Sequence, residues 1–381
     1  MFLPFENRFA AQQLELDLWA RRLDERVLSR RWGGRLRRAL EAEAVAASTS
    51  MEGVPVTVAD TLKILAGDPP DAIDEHDRAL VTGYRDAMAY VQRRADDGNL
   101  LWNRELVVGV QDRVLGGSLG MGAGRLRDGA AWVSDDATGD VVFAPPDVER
   151  VPGLVDELCE LAEAHDWHPA VRSAWLHVAL AAVHPFRDGN GRTARVLASL
   201  AMYRGGFRHP AFTSLEEWWG KHPRVYYDAF ACLGSTFDRR ADVTPFVQAH
   251  VDAQLRQVRS LALRQRVEGR LWTVIENVLV DLDLPARLAN ALYDSFFDRD
   301  VTTGYYRDLI SLSVPTARND LAAASAAGLV AADGRTRGRR YLRGPRLLDL
   351  VAGELGGVAP DAHAILVELT RRTADSAASE R

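Results

Sequence analysis

Apolar side chains return every three or four positions through most of this chain. Leu14, Leu18 and Leu23, then Leu36, Leu40 and Val45, recur among arginines and glutamates, so residues 8–50 read as helices. The same period predicts helices over residues 77–94, 104–115, 154–165, 170–183 and 193–203. The stretch SMEGVPVTVADT reads as a break, because Gly53 and Pro55 both interrupt helices. The period changes once before residue 150. GRLRDGAAWVSDDATGDVVFAPPD alternates around Trp132 and Val133, carries a turn signal over Asp136–Asp140, and alternates again at Val141 and Phe143, which predicts a β-hairpin ended by Pro145 and Pro146.

From about residue 261 the pattern starts afresh. VTTGYYRDLISLSVPTARNDLAAASAAGLVAADGRTRGRRYLRG predicts a helix, a turn, and a second helix capped by Ser313 with Pro315 in its first turn. Two strands around Asp333-Gly334 follow. Helix, turn, helix and wing describe a winged-helix unit. The chain therefore reads as mainly α, with an N-terminal helical region (1–104), a core (105–255), a winged helix (262–350) and a tail (351–381) whose end, TADSAASER, is expected to fray.

With 381 residues, more than one core is expected. A net charge of -6 argues against a chain built mainly to coat nucleic acid, and the basic residues are nearly all arginine, Lys63 and Lys221 being the only lysines. Cys159 and Cys232 are too sparse for a disulfide framework and lack metal-ligand spacing. MFLPFENRFAAQQ has no basic stretch followed by an apolar one, and nowhere do eighteen apolar residues run together. The expectation is a cytoplasmic protein without a membrane span.

The chemistry concentrates in HPFRDGNGRTAR, His184 to Arg195. Gly189-Asn190-Gly191 ahead of a helix can turn backbone N–H groups towards one point, and the helix N-terminus adds its own unpaired donors. That point suits an anion. Arg192 and Arg195, three apart, can meet two successive phosphates. Asp188 beside an anion cradle suggests a bridging divalent cation, most simply Mg²⁺. His184 supplies a group that can take a proton near neutral pH. Base, metal and cradle point to phosphoryl or nucleotidyl transfer.

These residues resemble the Fic-domain family. His184, Phe186, Asp188, Gly189, Asn190, Gly191, Arg192 and Arg195 match every fixed position of its signature, HxFx(D/E)GNGRxxR, and the resemblance extends over about residues 105–250. It implies a mostly helical fold with a β-hairpin flap, and transfer of AMP from ATP to a Ser, Thr or Tyr hydroxyl of a protein, the chain itself included. Carried over, it makes His184 the base, Asp188 the Mg²⁺ ligand, and Gly189, Asn190 and Gly191 the seat of the α- and β-phosphates. Arg192 would lie near the β- and Arg195 near the γ-phosphate, and Phe186 would anchor the loop. Ala131, Trp132, Val133 and Ser134 would form the flap strand that aligns the target by edge pairing. Tyr226 and Tyr227 resemble a position beside the nucleotide base, with a core aromatic pair as the alternative. Where some relatives place an asparagine against adenine this chain has Gly234, and the family also includes members that transfer phosphate or phosphocholine.

ASTSMEGV resembles the family's inhibitory motif, (S/T)xxxE(G/N), through Ser48, Glu52 and Gly53 on a helix over about residues 35–53. A carboxylate paired with Arg195 would occupy the partner of the γ-phosphate. In some relatives the same glutamate activates water for AMP removal, which leaves a de-AMPylating phosphodiesterase as an alternative. A DNA-binding regulator with a nucleotide-sensing core is another: Arg335, Arg337, Arg339 and Arg340 on the wing could meet phosphates, while Asp320 on the second helix opposes this. Homodimers are common among similar proteins. Gly116 to Gly124 reads as a loop beside the flap, His177 as a buried structural histidine, and Glu216, Trp218 and Trp219 as packing near the core's edge.

Overall fold

A computed structural model describes residues 2–24, 30–135, 138–212, 214–335, 339–357 and 361–379, with backbone alone at 24, 30–36, 211 and 374–379. The chain divides into two units, Met1–Ser260 and Leu261–Arg381. The mainly α reading holds: helices carry both units, and the sheets are small.

In the first unit α1 (Ala10–Asp24) and α2 (Arg30–Ser50) occupy the N-terminal stretch. The break after α2 is shorter than the sequence suggested. Thr57 caps α3 (Val58–Leu65) reciprocally, its hydroxyl accepting from Asp60 N at 3.1 Å while the Asp60 carboxylate accepts from Thr57 N at 3.1 Å. A helix therefore begins inside SMEGVPVTVADT, and only residues 51–57 form the break. Asp74 caps α4 (Glu75–Arg94) and Asn103 caps α5 (Arg104–Val114), each accepting a backbone N–H at 2.8 Å.

The hairpin joins β1 (Val133–Ser134) to β2 (Val141–Phe143), Val133 opposite Phe143, with a bulge before Ser134 meets Val141. Ala131 and Trp132, expected in the flap strand, precede the ladder instead. Trp132 is 63% exposed. Asp136 and Ala137 of the expected turn lie outside the described residues.

After α6 (Val151–Ala164) come α7 (Pro169–Val183) and α8 (Asn190–Arg204), which share the most extensive helix–helix contact among the described residues. Both are buried around most of their surface because α4, α5 and α6 pack about them. Trp175, Phe186 and Leu197 are fully enclosed there. Then follow α9 (Leu215–Lys221), α10 (Pro223–Asp228) and α11 (Thr244–Asp281), and the division between the units falls within α11.

The second unit contains α12 (Ala289–Phe296), β3 (Val301–Thr302), α13 (Thr303–Leu309), α14 (Val314–Ala326), β4 (Val330–Asp333) and β5 (Arg340–Arg343), the strands forming an antiparallel sheet ordered β3-β5-β4. Ser313 caps α14, accepting from Thr316 N at 3.2 Å, with Pro315 in the first turn. The β4–β5 connection is longer than a tight turn at Asp333-Gly334, since β5 begins only at Arg340. Asp320 faces inward, 4% exposed, paired with Arg287 at 2.6 Å and accepting from the Tyr306 hydroxyl at 3.0 Å, so it presents no charge on the outer face of α14. Arg335 and Arg339 are exposed, Arg340 pairs with Asp300, and Arg337 lies outside the described residues.

The expected tail is largely helical. α15 (Pro345–Glu354) is followed by α16 (Ala362–Ser379), which buries Ile365 and Leu369. Among the described residues no helix is long and apolar enough to cross a membrane.

Candidate active site

The site is built at the junction of α7 and α8. His184 follows the last residue of α7 in the left-handed region (φ 48°, ψ 57°), uncommon for a residue with a side chain, while its N–H still bonds Leu180 O at 2.9 Å. That conformation turns the chain out of the helix. Arg127 then fixes the exit: its backbone N–H donates to Pro185 O and its Nε to His184 O, both at 2.9 Å, and its guanidinium also reaches the carbonyls of Gly129 and Pro146. One buried arginine thus ties the His184 loop to the chain on either side of the hairpin.

Phe186 is fully buried, and Asn190 closes the loop over it. Asn190 Oδ1 accepts from Phe186 N and Nδ2 donates to Phe186 O, both at 2.9 Å. The asparagine side chain is thereby committed to the loop itself, and what residue 190 can offer an anion is its backbone N–H. Gln111 adds a support from α5, donating to Asp188 O at 3.1 Å while accepting from Gly124 N at 2.8 Å. Gly189 caps α8 with φ 80°, which glycine adopts without strain. The first N–H groups of α8 have no acceptor within the helix and converge at this mouth.

Charges surround it. Asp188 Oδ1 accepts from Arg192 Nη2 at 3.0 Å, and Oδ2 has no partner among the described residues. Arg192 is 2% exposed, yet its Nε and Nη1 are buried without partners. A buried guanidinium left half unsatisfied is the donor set an anion would complete.

Arg195 is occupied. Its Nη2 donates to Glu52 Oε1 at 2.7 Å and to Ser48 O at 3.0 Å, its Nε to Ser48 Oγ at 2.8 Å, and its Nη1 to the Tyr226 hydroxyl at 3.3 Å. Ser48 lies in the last turn of α2 and Glu52 in the turn beyond it, which Gly53 closes with φ 83°. The Glu52 carboxylate rests against Gly191, where a Cβ would collide with Oε1. Gly191 is therefore required for close approach, whereas Gly189 is required for its backbone angle.

The electrostatics follow from burial and these pairs. Burial opposes ionisation of Glu52, but the Arg195 and Arg192 guanidiniums overcome it and hold its carboxyl below the usual range. Burial pushes the His184 imidazole below the ordinary histidine value, against the opposing pull of the Ala181 backbone, Glu52 and Asp188. His184 is thus a neutral base near pH 7, and the Ala181 contact orients its ring.

The two tyrosines separate. Tyr226 is 4% exposed and sits beneath Arg195 against His177, the core alternative, and Tyr227 is exposed with its hydroxyl donating to Met51 O at 3.2 Å. His177 is buried as expected. Glu216 is not an edge residue: it is 2% exposed and accepts from the Tyr84 hydroxyl at 2.7 Å. Sequence reasoning missed Arg127, Gln111, Tyr84 and this role of Glu216. Each is a lone polar residue whose partner is distant in sequence, so no local pattern marks it.

The family model of the Fic/DOC family matches residues 101–202. Among curated proteins, the chain is 31% identical over 163 residues to the protein adenylyltransferase Fic of Nematostella vectensis, covering 42% of this chain and 37% of that protein. It is 32% identical over 176 residues to the protein adenylyltransferase fic-1 of Caenorhabditis elegans, covering 44% and 29%. The chain thus spans well under half the length of these relatives. Among solved structures it is similar to a Fic family protein from Desulfovibrio desulfuricans G20, with TM-score 0.57 and 22% identity over 90% of this chain and 97% of that one. A Fic domain containing signaling protein from Bacteroides thetaiotaomicron gives TM-score 0.56 and 20% identity, covering 67% and 96%. At such identities the likeness concerns the fold. Residues 101–202 thus match the Fic/DOC family model, and every fixed position of its signature lies at the α7–α8 junction.

Proposed function

We propose that this protein is an adenylyltransferase that moves AMP from ATP to a hydroxyl of a protein and is held in check by Glu52. The observation that carries this reading is the convergence of a neutral His184, the open first turn of α8 and two buried arginines, one of them capped by a carboxylate from α2's end. His184 accepts the proton of the incoming hydroxyl, whose oxygen attacks the α-phosphorus. The bond from that phosphorus to the bridging oxygen breaks, and diphosphate leaves. The N–H groups of residues 190–192 and the free nitrogens of Arg192 hold the phosphate chain, and Arg195 meets its far end once Glu52 withdraws. Asp188, with Oδ2 directed to no partner among the described residues, would hold Mg²⁺ by one carboxylate, phosphate oxygens and water. When bound, the ion would offset negative charge on the phosphates.

The test is incubation with ATP labelled on its α-phosphorus, followed by mass spectrometry. Glu52→Gly should raise incorporation at least 10-fold over the parent, and Glu52→Gly with His184→Ala should incorporate none. Equal labelling with and without His184 sinks the reading, and a mass gain of phosphate alone redirects it.

The ionised state of Glu52 beside His184 favours a second reading, in which Glu52 activates water to release AMP from a modified protein. Then Glu52→Gly would lose release from an AMP-bearing substrate. For the second unit we propose a winged helix, supported by the order α12, β3, α13, α14, β4, β5. With Asp320 turned inward, Arg318, Arg335 and Arg339 remain exposed for a phosphate backbone, and a gel shift with these three replaced by alanine tests that contact.

A further inference from the structure

Arg195 borders a second space besides the one that Glu52 fills. A cavity of about 10 Å³, room for one water, lies between Arg195, His177, Glu216, Trp219, His250 and Gln254. The residues that line it carry buried polar atoms without partners: Glu216 Oε2, His177 Nδ1, both ring nitrogens of His250, Trp219 Nε1 and Gln254 Oε1. Buried polar groups are almost always satisfied, so donors and acceptors gathered around a water-sized space specify a water. No group of acidic, histidine or cysteine side chains among the described residues is disposed to hold a metal ion. The neutral occupant is therefore the one that fits.

Glu216 joins this cavity to the mouth of the site. Its side chain lines the cavity and its Oε2 is buried without a partner, while its Oε1 accepts from the Tyr84 hydroxyl at 2.7 Å. Tyr84 is fully buried and also hydrogen-bonds the Ser48 side chain, whose Oγ accepts from Arg195 Nε at 2.8 Å. We propose that Glu216 is a positioning residue for Arg195, acting through Tyr84 and Ser48 on one route and through a water in this cavity on the other. When the Ser48–Glu52 segment withdraws, the first route is lost and the water keeps the guanidinium in place to receive an anion. Burial, which favours the protonated Glu216 carboxyl, suits a group that donates to that water as well as accepting from Tyr84.

The proposal rests on Arg195 being the ligand of ATP's last phosphate, and the experiment separates the two. In the Glu52→Gly protein with Mg²⁺, calorimetry should find ATP bound about 10-fold more weakly after Glu216→Ala. ADP, lacking the phosphate that Arg195 meets, should bind unchanged, and Glu216→Gln, which still accepts from Tyr84, should restore most of the ATP affinity. Equal loss for both nucleotides, or none, overturns the proposal. If the Glu52→Gly parent binds neither nucleotide, the nucleotide reading fails, and crystal structures of the same proteins decide the positioning role without it. They should show a water bonded to Glu216 in the parent and a displaced Arg195 in Glu216→Ala; a dry cavity or an unmoved Arg195 overturns the proposal.

Discussion

Asn190 shows how the site depends on single side chains. Its amide satisfies both backbone groups of Phe186, which are buried and would otherwise be unpaired. Asn190→Ala should cost about 2–3 kcal/mol in urea unfolding, since two buried polar groups lose their partners. An unchanged midpoint would show that the loop does not need this closure. His184 gives a second expectation. Its pKa is lowered mainly by burial, so it stays unprotonated to a lower pH than an ordinary histidine, and the acid limb of the transfer rate should fall below about pH 6.5. A limb centred above that value would contradict its burial. The glycine turn and the histidine at the α7–α8 junction could be picked out in the sequence because the motif that holds them is local. The task of the Asn190 side chain could not, because the sequence reading concerned only the backbone of that turn, and the amide's bonds to Phe186 are seen only once the loop is folded.

At the scale of elements, the contact between the end of α2 and α8 spans 143 positions between Glu52 and Arg195. Spacing within either segment could not reveal it, and only the family pattern pointed there. Removing one partner of a buried pair strands the other, so Glu52→Gly should lower stability, by about 1–2 kcal/mol rather than the 3–5 of a fully enclosed pair, since the Glu52 side chain is 23% exposed. ATP should then raise the melting temperature of Glu52→Gly more than that of the parent, because a ligand that binds only the folded state stabilises it in proportion to its affinity. Identical shifts would mean that Glu52 does not compete with nucleotide. Gly191→Ala tests the same contact from the other side: the added carbon meets the Glu52 carboxylate, so amide exchange over residues 48–53 should accelerate. The helix periods located α4 to α8 within a few residues. They missed α3, whose start is set by the Thr57–Asp60 cap inside a stretch that Gly53 and Pro55 made look irregular.

Across the whole molecule, buried histidines are expected to weaken the fold in acid. Burial lowers His250 to about 3, and His177 is also pushed well down. A folded-state value below the unfolded one means that the neutral histidine contributes stability fully above about pH 6.5, and that this is lost as pH falls towards 3. The contribution of His250 is on the order of 4 kcal/mol. Denaturant unfolding at pH 7 and pH 4.5 should therefore show a marked loss, reduced in His250→Phe; an equal loss in that variant would assign it elsewhere. The division after Ser260 falls close to where the hydrophobic pattern restarts, near residue 261. The helical end of the chain was not legible in the sequence, since its polar, alanine-rich composition hides the inward Ile365 and Leu369.

Gly191 ends as more than a hinge of convenience. The bare patch of main chain that would cradle the cargo is also where the Glu52 carboxylate sits. Any side chain introduced there to evict the blocker would crowd out the cargo too. On the proposed role of Glu52, a change that loosens control is therefore expected on the α2 side of the contact, and a freely running form of this protein should keep its glycine and change its glutamate.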